Sequence, residues 1–306
     1  MGAIKTGSKD KRHFFKTGFR GCPGTFELSD AQLHTLQETL IEMLRDFIEM
    51  FDEYNINYTL SGGSVLGTIR HGGFIPWDDD IDINMSRRDY NKLKRNFNRA
   101  LGDKYVLCSP ELGRNHGMTH VQIKKKDTIY KAFNELNKPD IGIFMDIFVM
   151  ENTFNNPILR RLHGYACLMW GYILTCRKTY EDWPYLQQHL VPGSDLETAF
   201  YKKVKVGRLF AFMSVDSVAK KAINCYSFCG DNKSKYVSIP SGRKHYFGEM
   251  YLRSDMCESK DAVFEGLNVK IPAGTDKYMH ILYGNNYMEI PPEEDREIHS
   301  AMELKF

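Results

Sequence analysis

From Ser29 onward apolar side chains recur at steps of three and four, at Leu33, Leu36, Leu40, Leu44, Phe47 and Phe51, which predicts a helix with one buried face. Ser29 and Gln32 form the capping box that opens it. The period then changes. Tyr58-Thr59-Leu60 reads as a short strand, Ser61-Gly62-Gly63-Ser64 as a turn, and Ser64 to Arg70 as a short helix ended by Gly72-Gly73. Ser86 with Asp89 caps a further helix carrying Tyr90, Leu93, Phe97 and Leu101 on one face. Strands are predicted near Val106 and at Val121 to Lys125, Thr128 to Phe133 and Ile143 to Val149.

Beyond residue 150 the pattern becomes helical, with long runs at Leu159 to Lys178 and Phe200 to Phe228, and a last helix is expected around Tyr278 to Leu282. The fold class is therefore α+β in four parts: a basic, aperiodic arm over 1–28 expected to be mobile, an α+β core over 29–150, a helical subdomain over 151–230 and a C-terminal segment over 231–306 expected to complete the site. The most apolar helical piece, Ala166 to Thr175, lies between Arg160-Arg161 and Arg177-Lys178 and is too short for a bilayer span of roughly 20 residues. It reads as a buried helix, with peripheral contact to a membrane as the sharper alternative.

Composition narrows the partners. Forty-one basic against 39 acidic residues leave a net charge of +2 over 306 residues, which provides no field for gripping a polyanion, so nucleic acid is not expected. Met1-Gly2-Ala3-Ile4-Lys5-Thr6 fits the N-myristoylation pattern, a short pattern given little weight, and lacks the apolar core of a secretory signal, so a cytoplasmic location is expected. Seven scattered cysteines suit reduced thiols. Cys225 and Cys229, with His245 and Cys257 downstream, match no standard zinc-finger spacing, and buried thiols are the reading preferred for them.

The candidate chemistry lies in Trp77-Asp78-Asp79-Asp80-Ile81-Asp82-Ile83. On a strand Asp78, Asp80 and Asp82 would share one face, and carboxylates held so close point to a divalent cation. An EF-hand loop is excluded by Ile83, which stands where that loop needs glycine for its turn. A solvated acidic loop stays open, against the packing implied by Trp77, Ile81 and Ile83. Gly62-Gly63-Ser64, between a strand and a helix, is a candidate phosphate-binding turn. Such a turn shortly before Asp-x-Asp resembles the DNA-polymerase-β-like nucleotidyltransferases, in which a neighbouring strand adds a third carboxylate. Asp146, in Phe144-Met145-Asp146-Ile147-Phe148, is the candidate for it, with a helix cap or buried salt bridge as its alternative.

Gly67-Thr68-Ile69-Arg70-His71-Gly72-Gly73-Phe74-Ile75-Pro76-Trp77-Asp78-Asp79-Asp80-Ile81-Asp82 closely resembles the signature of the LicD family, which includes phosphocholine transferases and the related fukutin proteins. The likeness extends to Met145-Asp146-Ile147-Phe148, Phe264-Glu265-Gly266, Tyr283-Gly284 and Pro291-Pro292-Glu293-Glu294. It implies a nucleotidyltransferase-like mixed sheet flanked by helices, and transfer of a phospho-alcohol, phosphocholine before others, from a CDP-alcohol such as CDP-choline to a hydroxyl of a cell-surface or secreted glycan or glycolipid, releasing CMP. The metal-binding aspartates of the family carry over onto Asp78, Asp80, Asp82 and Asp146, but not Asp79.

Mg2+ or Mn2+ is the expected cofactor, since a diphosphate donor brings crowded negative charge. Arg70 and His71 are candidates for the diphosphate, with a plain helix C-terminal charge the alternative for both. Lys124, in a basic run, is a weaker candidate. Trp77 is read as structural before it is read as a stacking surface. Two other functions stay open: a nucleotidyltransferase that takes NMP from an NTP, and a non-catalytic metal- or glycan-binding protein.

Overall fold

The computed structural model describes residues 24–113, 117–132, 142–298 and 300–306, so the basic arm, but for its last residues, lies outside them, as do Phe133 and the Met1 to Thr6 pattern. Among the described residues are nine α-helices: α1 Asp30–Glu53, α2 Gly62–His71, α3 Arg87–Leu101, α4 Pro157–Leu186, α5 Asp195–Leu209, α6 Val215–Tyr226, α7 His245–Gly248, α8 Arg253–Cys257 and α9 Thr275–Tyr283. The strands are β1 Thr59–Leu60, β2 Asp82–Ser86, β3 Tyr105–Cys108, β4 Val121–Lys125, β5 Ile129–Ala132, β6 Phe144–Asn152, β7 Tyr236–Ser238, β8 Met250–Leu252, β9 Ser259–Phe264, β10 Leu267–Pro272 and β11 Ala301–Lys305.

The local signals of the first half are where the spacing places them. Ser29 and Gln32 satisfy each other's backbone amides at the start of α1, Ser86 accepts from the Asp89 amide, and Gly72 ends α2 in the left-handed conformation at φ 73°. Several boundaries differ. The helix expected from Ser64 begins at Gly62, because both glycines join its first turn. The strand expected through the aspartates begins only at Asp82. The run expected from Phe200 to Phe228 is two helices, since Ser214 caps a fresh start for α6.

The strands β1-β2-β6-β4-β3 form one mixed sheet, and β7 and β8 extend it from the end of β6. Only β2 and β6 in this sheet are parallel among the described residues; their register sets Asp82 opposite Asp146 and Asn84 opposite Phe148. Strand alternation then divides the sheet. Leu60, Ile83, Val121, Ile123, Met145 and Ile147 are buried in one core with Phe47 of α1 and Phe97 of α3, whose rings stack at 6.3 Å. The opposite face carries rows of different character, Thr59-Asn84-Phe148 and Asp82-Asp146-Gln122, with Lys124 opposite Phe144.

The helical middle has a separate apolar core, in which Cys167, Ile173 and Leu174 of α4 meet Val218, Ala222 and Tyr226 of α6. Helix α4 is not the wholly buried piece expected: Leu162, Tyr165, Met169 and Tyr172 form an exposed stripe along it. No helix among the described residues is long and apolar enough to cross a membrane. Phe47 is fully buried where α1, α3 and Tyr105 meet. Phe47→Ala is expected to destabilise the protein by about 3–5 kcal/mol, read by urea denaturation; a loss below ~1 kcal/mol would mean that the α1–sheet contact is not part of the main core.

Candidate active site

A cavity of about 420 Å³ opens on the polar face of the sheet, lined on one side by Ser61, Gly62, Gly63, Arg70, Trp77, Asp78, Asp80 and Asp82. Phe148 lies in its floor, two residues from Asp146 on the same face of β6. The far wall comes from the last third of the chain, with Arg243, Glu249, Tyr278, Tyr283, Tyr287 and Glu297. Asp78, Asp80 and Asp82 thus reach one cavity although only Asp82 is in a strand. Asp79 turns the other way and accepts a hydrogen bond from the Tyr130 hydroxyl at 2.5 Å. Asp146 does not itself line the cavity; it stands beside Asp82, with His120 Nε2 at 3.6 Å from its Oδ2.

The two glycines have a steric reason. A Cβ on Gly62 would lie 2.9 Å from Asp82 Oδ2 and 3.7 Å from the Tyr283 hydroxyl, and one on Gly63 would lie 2.7 Å from Asp78 Oδ2. Gly62 also has φ 46°, which a side chain would strain. The carboxylates therefore pack directly on the backbone at the N-terminal end of α2, where the helix dipole favours negative charge.

The phosphate-turn expectation changes in detail. The Gly62 amide donates to the Tyr278 hydroxyl at 3.0 Å, and Asn84 Nδ2 donates to the same oxygen at 3.3 Å. The single proton of Tyr278 then goes to Ser61 Oγ at 2.9 Å, and burial pushes its pKa up to about 12, so it stays a neutral tie between α9 and the start of α2. Ser64 is buried outside the cavity lining, and its hydroxyl accepts from the Asp82 amide at 2.9 Å, fixing the strand rather than a ligand.

Arg70 lines the cavity, but its Nη1 donates to the carbonyls of Tyr287 and Glu289 at 3.1 Å each and so pins the C-terminal wall. His71 is exposed and outside the lining; partial desolvation of its ring, and then the charge of Arg70, lower its pKa, and it accepts from Arg70 Nε. Lys124 is buried, unlike the solvated lysine its run suggests, with Nζ 5.8 Å from the Phe144 ring centroid and outside the cavity lining. The face of Trp77 is covered by Arg296 at 4.3 Å.

The residues suit a hard divalent cation. Carboxylate oxygens are its donors, and buried oxygens of Thr59, Asn84 and Gln122 on the same face have no hydrogen-bond partner among the described residues, which a face meant only for packing would not carry. No three of the carboxylates converge to within 4.8 Å of one another among the described residues. An ion here would be held by one or two carboxylates plus substrate and water oxygens, the usual pattern for Mg2+.

The family model described as LicD/FKTN/FKRP, nucleotidyltransferase domain, matches residues 55–161. Lipopolysaccharide cholinephosphotransferase LicD of Haemophilus influenzae is 26% identical over 278 residues, 89% of this chain and 97% of that protein. Residues 55–161 thus match the LicD-family domain, and the similarity to a LicD protein runs along most of the chain. Human ribitol 5-phosphate transferase FKRP matches a shorter stretch, 40% identical over 56 residues, 18% of this chain and 11% of that protein. An uncharacterized protein of Rickettsia typhi is 38% identical over 96 residues, 26% of this chain and 31% of that protein.

The LicD-domain match contains every aspartate of the near wall and none of the far wall, which reading the sequence missed at Arg243, Glu249 and Glu297 because no local pattern marks them. Glu249 is the most perturbed of these. It is 3% exposed, accepts from the Lys244 amide at 2.7 Å, and burial pushes its carboxyl up to about 7. Its folded pKa lies above that of an unfolded glutamate, so its contribution to stability is fully present below about pH 4.5 and is lost as pH rises through about 7, on the order of 3 kcal/mol. Glu249→Gln is expected to match wild type near pH 4.5 and to exceed its stability at pH 8 in urea denaturation. Parallel pH profiles for the two proteins would refute this.

Proposed function

We propose that this LicD-family phosphotransferase moves a phospho-alcohol from a CDP-alcohol to a hydroxyl of a cell-surface glycan or glycolipid, with phosphocholine from CDP-choline as the first candidate and CMP as the leaving product. The observation that carries the reading is the aspartate wall on a polar sheet face, in a chain similar along most of its length to a cholinephosphotransferase. The name of FKRP supports a second alcohol, ribitol 5-phosphate, through a much shorter match. The same reading takes the mixed sheet as nucleotidyltransferase-like.

In this mechanism Asp80 and Asp82 would hold Mg2+ or Mn2+, with Asp146 beside Asp82 adding its negative charge to the site, and the ion would supply positive charge to offset that of a diphosphate donor. Asp78, against the first turn of α2, takes the proton of the attacking hydroxyl. Tyr278 and Arg70 keep the two walls at a fixed separation through their bonds to Gly62, Tyr287 and Glu289. The far wall excludes bulk water from the donor, which strengthens each electrostatic contact inside.

Incubation with a panel of CDP-alcohols, Mg2+ or Mn2+ and candidate glycans, followed by mass spectrometry of the products, tests the reading. CMP release with transfer of the alcohol phosphate is expected, and Asp80→Ala is expected to lower it by about 100-fold or more. Pyrophosphate release from CTP instead would establish the nucleotidyltransferase reading. Folded protein that releases CMP from none of the donors would overturn the proposal.

A further inference from the structure

Away from the cavity, the small core of the helical middle brings together three soft ligand groups. His163 and Cys167 lie one turn apart on α4, so both face the same way, and Cys225 comes from the last turn of α6. Cys167 Sγ is 3.5 Å from His163 Nε2 and 3.9 Å from Cys225 Sγ, and all three donor atoms lie within 4.8 Å of one another. His163 and Cys167 are buried, and Cys225 is half-buried.

These distances are those of a tetrahedral site. With Zn–S near 2.3 Å and Zn–N near 2.0–2.1 Å, a tetrahedron sets its S···S edge at about 3.8 Å and its S···N edge at about 3.5 Å. A disulfide between Cys167 and Cys225 would need the sulfurs at about 2.05 Å, far inside the observed separation. The group differs from the one the sequence spacing suggested: His245 is exposed, and Cys257 lies 3.9 Å from Arg253 Nη1 instead.

We propose that His163, Cys167 and Cys225 form a zinc site that staples α4 to α6. Cys229, buried four residues beyond Cys225, is not within this group as it stands; a water, or Cys229 after a local shift that would give paired His-x3-Cys and Cys-x3-Cys spacings, supplies the fourth ligand. The Tyr246 hydroxyl, 3.3 Å from His163 Nδ1, orients the ring. Loading releases the thiol protons to solvent and moves the ring proton from Nε2, now 2.7 Å from the Cys225 carbonyl, to Nδ1, where it is donated to Tyr246. This site is independent of the transferase reading, and its role is to hold the helical middle together.

Full-length protein purified under reducing conditions and dialysed against EDTA is expected to retain about one zinc per chain by elemental mass spectrometry. Exchange for Co2+ is expected to give thiolate-to-cobalt charge-transfer absorption. Cys167→Ser and Cys225→Ser lose both signals, while Cys176→Ser, a buried thiol on α4 outside the group, keeps both. Since a ligand variant can fail to fold, the wild-type cobalt spectrum decides by itself. Reduced wild-type protein that takes up neither metal, a cobalt spectrum without thiolate bands, or a Cys167–Cys225 disulfide in the freshly purified protein would overturn the proposal.

Discussion

The parallel pairing of β2 with β6 is the constraint on which the rest of the molecule depends. It sets Asp82 beside Asp146 on strands about 4.8 Å apart, a separation at which two carboxylate charges repel by about 3 kcal/mol at an effective dielectric near 20. Sliding the pair by one residue would place Ile81 or Ile83 in the cavity and carry an aspartate into the core with Phe47. Burial of Ile83, Met85, Met145 and Ile147 against α1 and α3 therefore enforces the register, and the repulsion is the consequence the site must answer. Hydrophobic packing on one face holds charge together on the other.

The neighbours of that pair are arranged around the same charge. Gly62 and Gly63 let Asp82 and Asp78 rest on the backbone at the start of α2, and Ser64 holds the Asp82 amide in place. Tyr278 ties the end of the chain to that helix, and Arg70 ties the loop after α9 to the other end of α2. The cavity is thus made from segments more than 200 residues apart, joined by a few polar bonds to one short helix.

Much of this was legible in the sequence where the signal is local. Ser29 with Gln32, Ser86 with Asp89, and Gly72 mark real helix ends because capping is decided within a turn. The alternation of apolar and acidic residues around Ile81 and Ile83 indicates which side of the chain is packed. The charged residues of the far wall were not legible, since Glu249 and Arg243 reach the cavity through tertiary packing that no spacing encodes. The strand expected at Thr128 to Phe133 is β5, but its partner β11, far along the chain, was missed for the same reason, and the hairpin of β9 and β10 around Glu265-Gly266 was missed as strands. Lys124 misled because its neighbours Lys125 and Lys126 do behave as a solvated run, reaching Glu42 and the Gly102 carbonyl, while alternation turns Lys124 inward.

The most direct test of the account is whether a divalent ion binds at the Asp82 side of the sheet. Mn2+ binding in the presence of CDP can be followed by electron paramagnetic resonance on wild type, Asp82→Asn and Asp79→Asn. Binding by wild type and Asp79→Asn, with at least about a tenfold loss in Asp82→Asn, is the predicted result. Equal binding by all three proteins would contradict it.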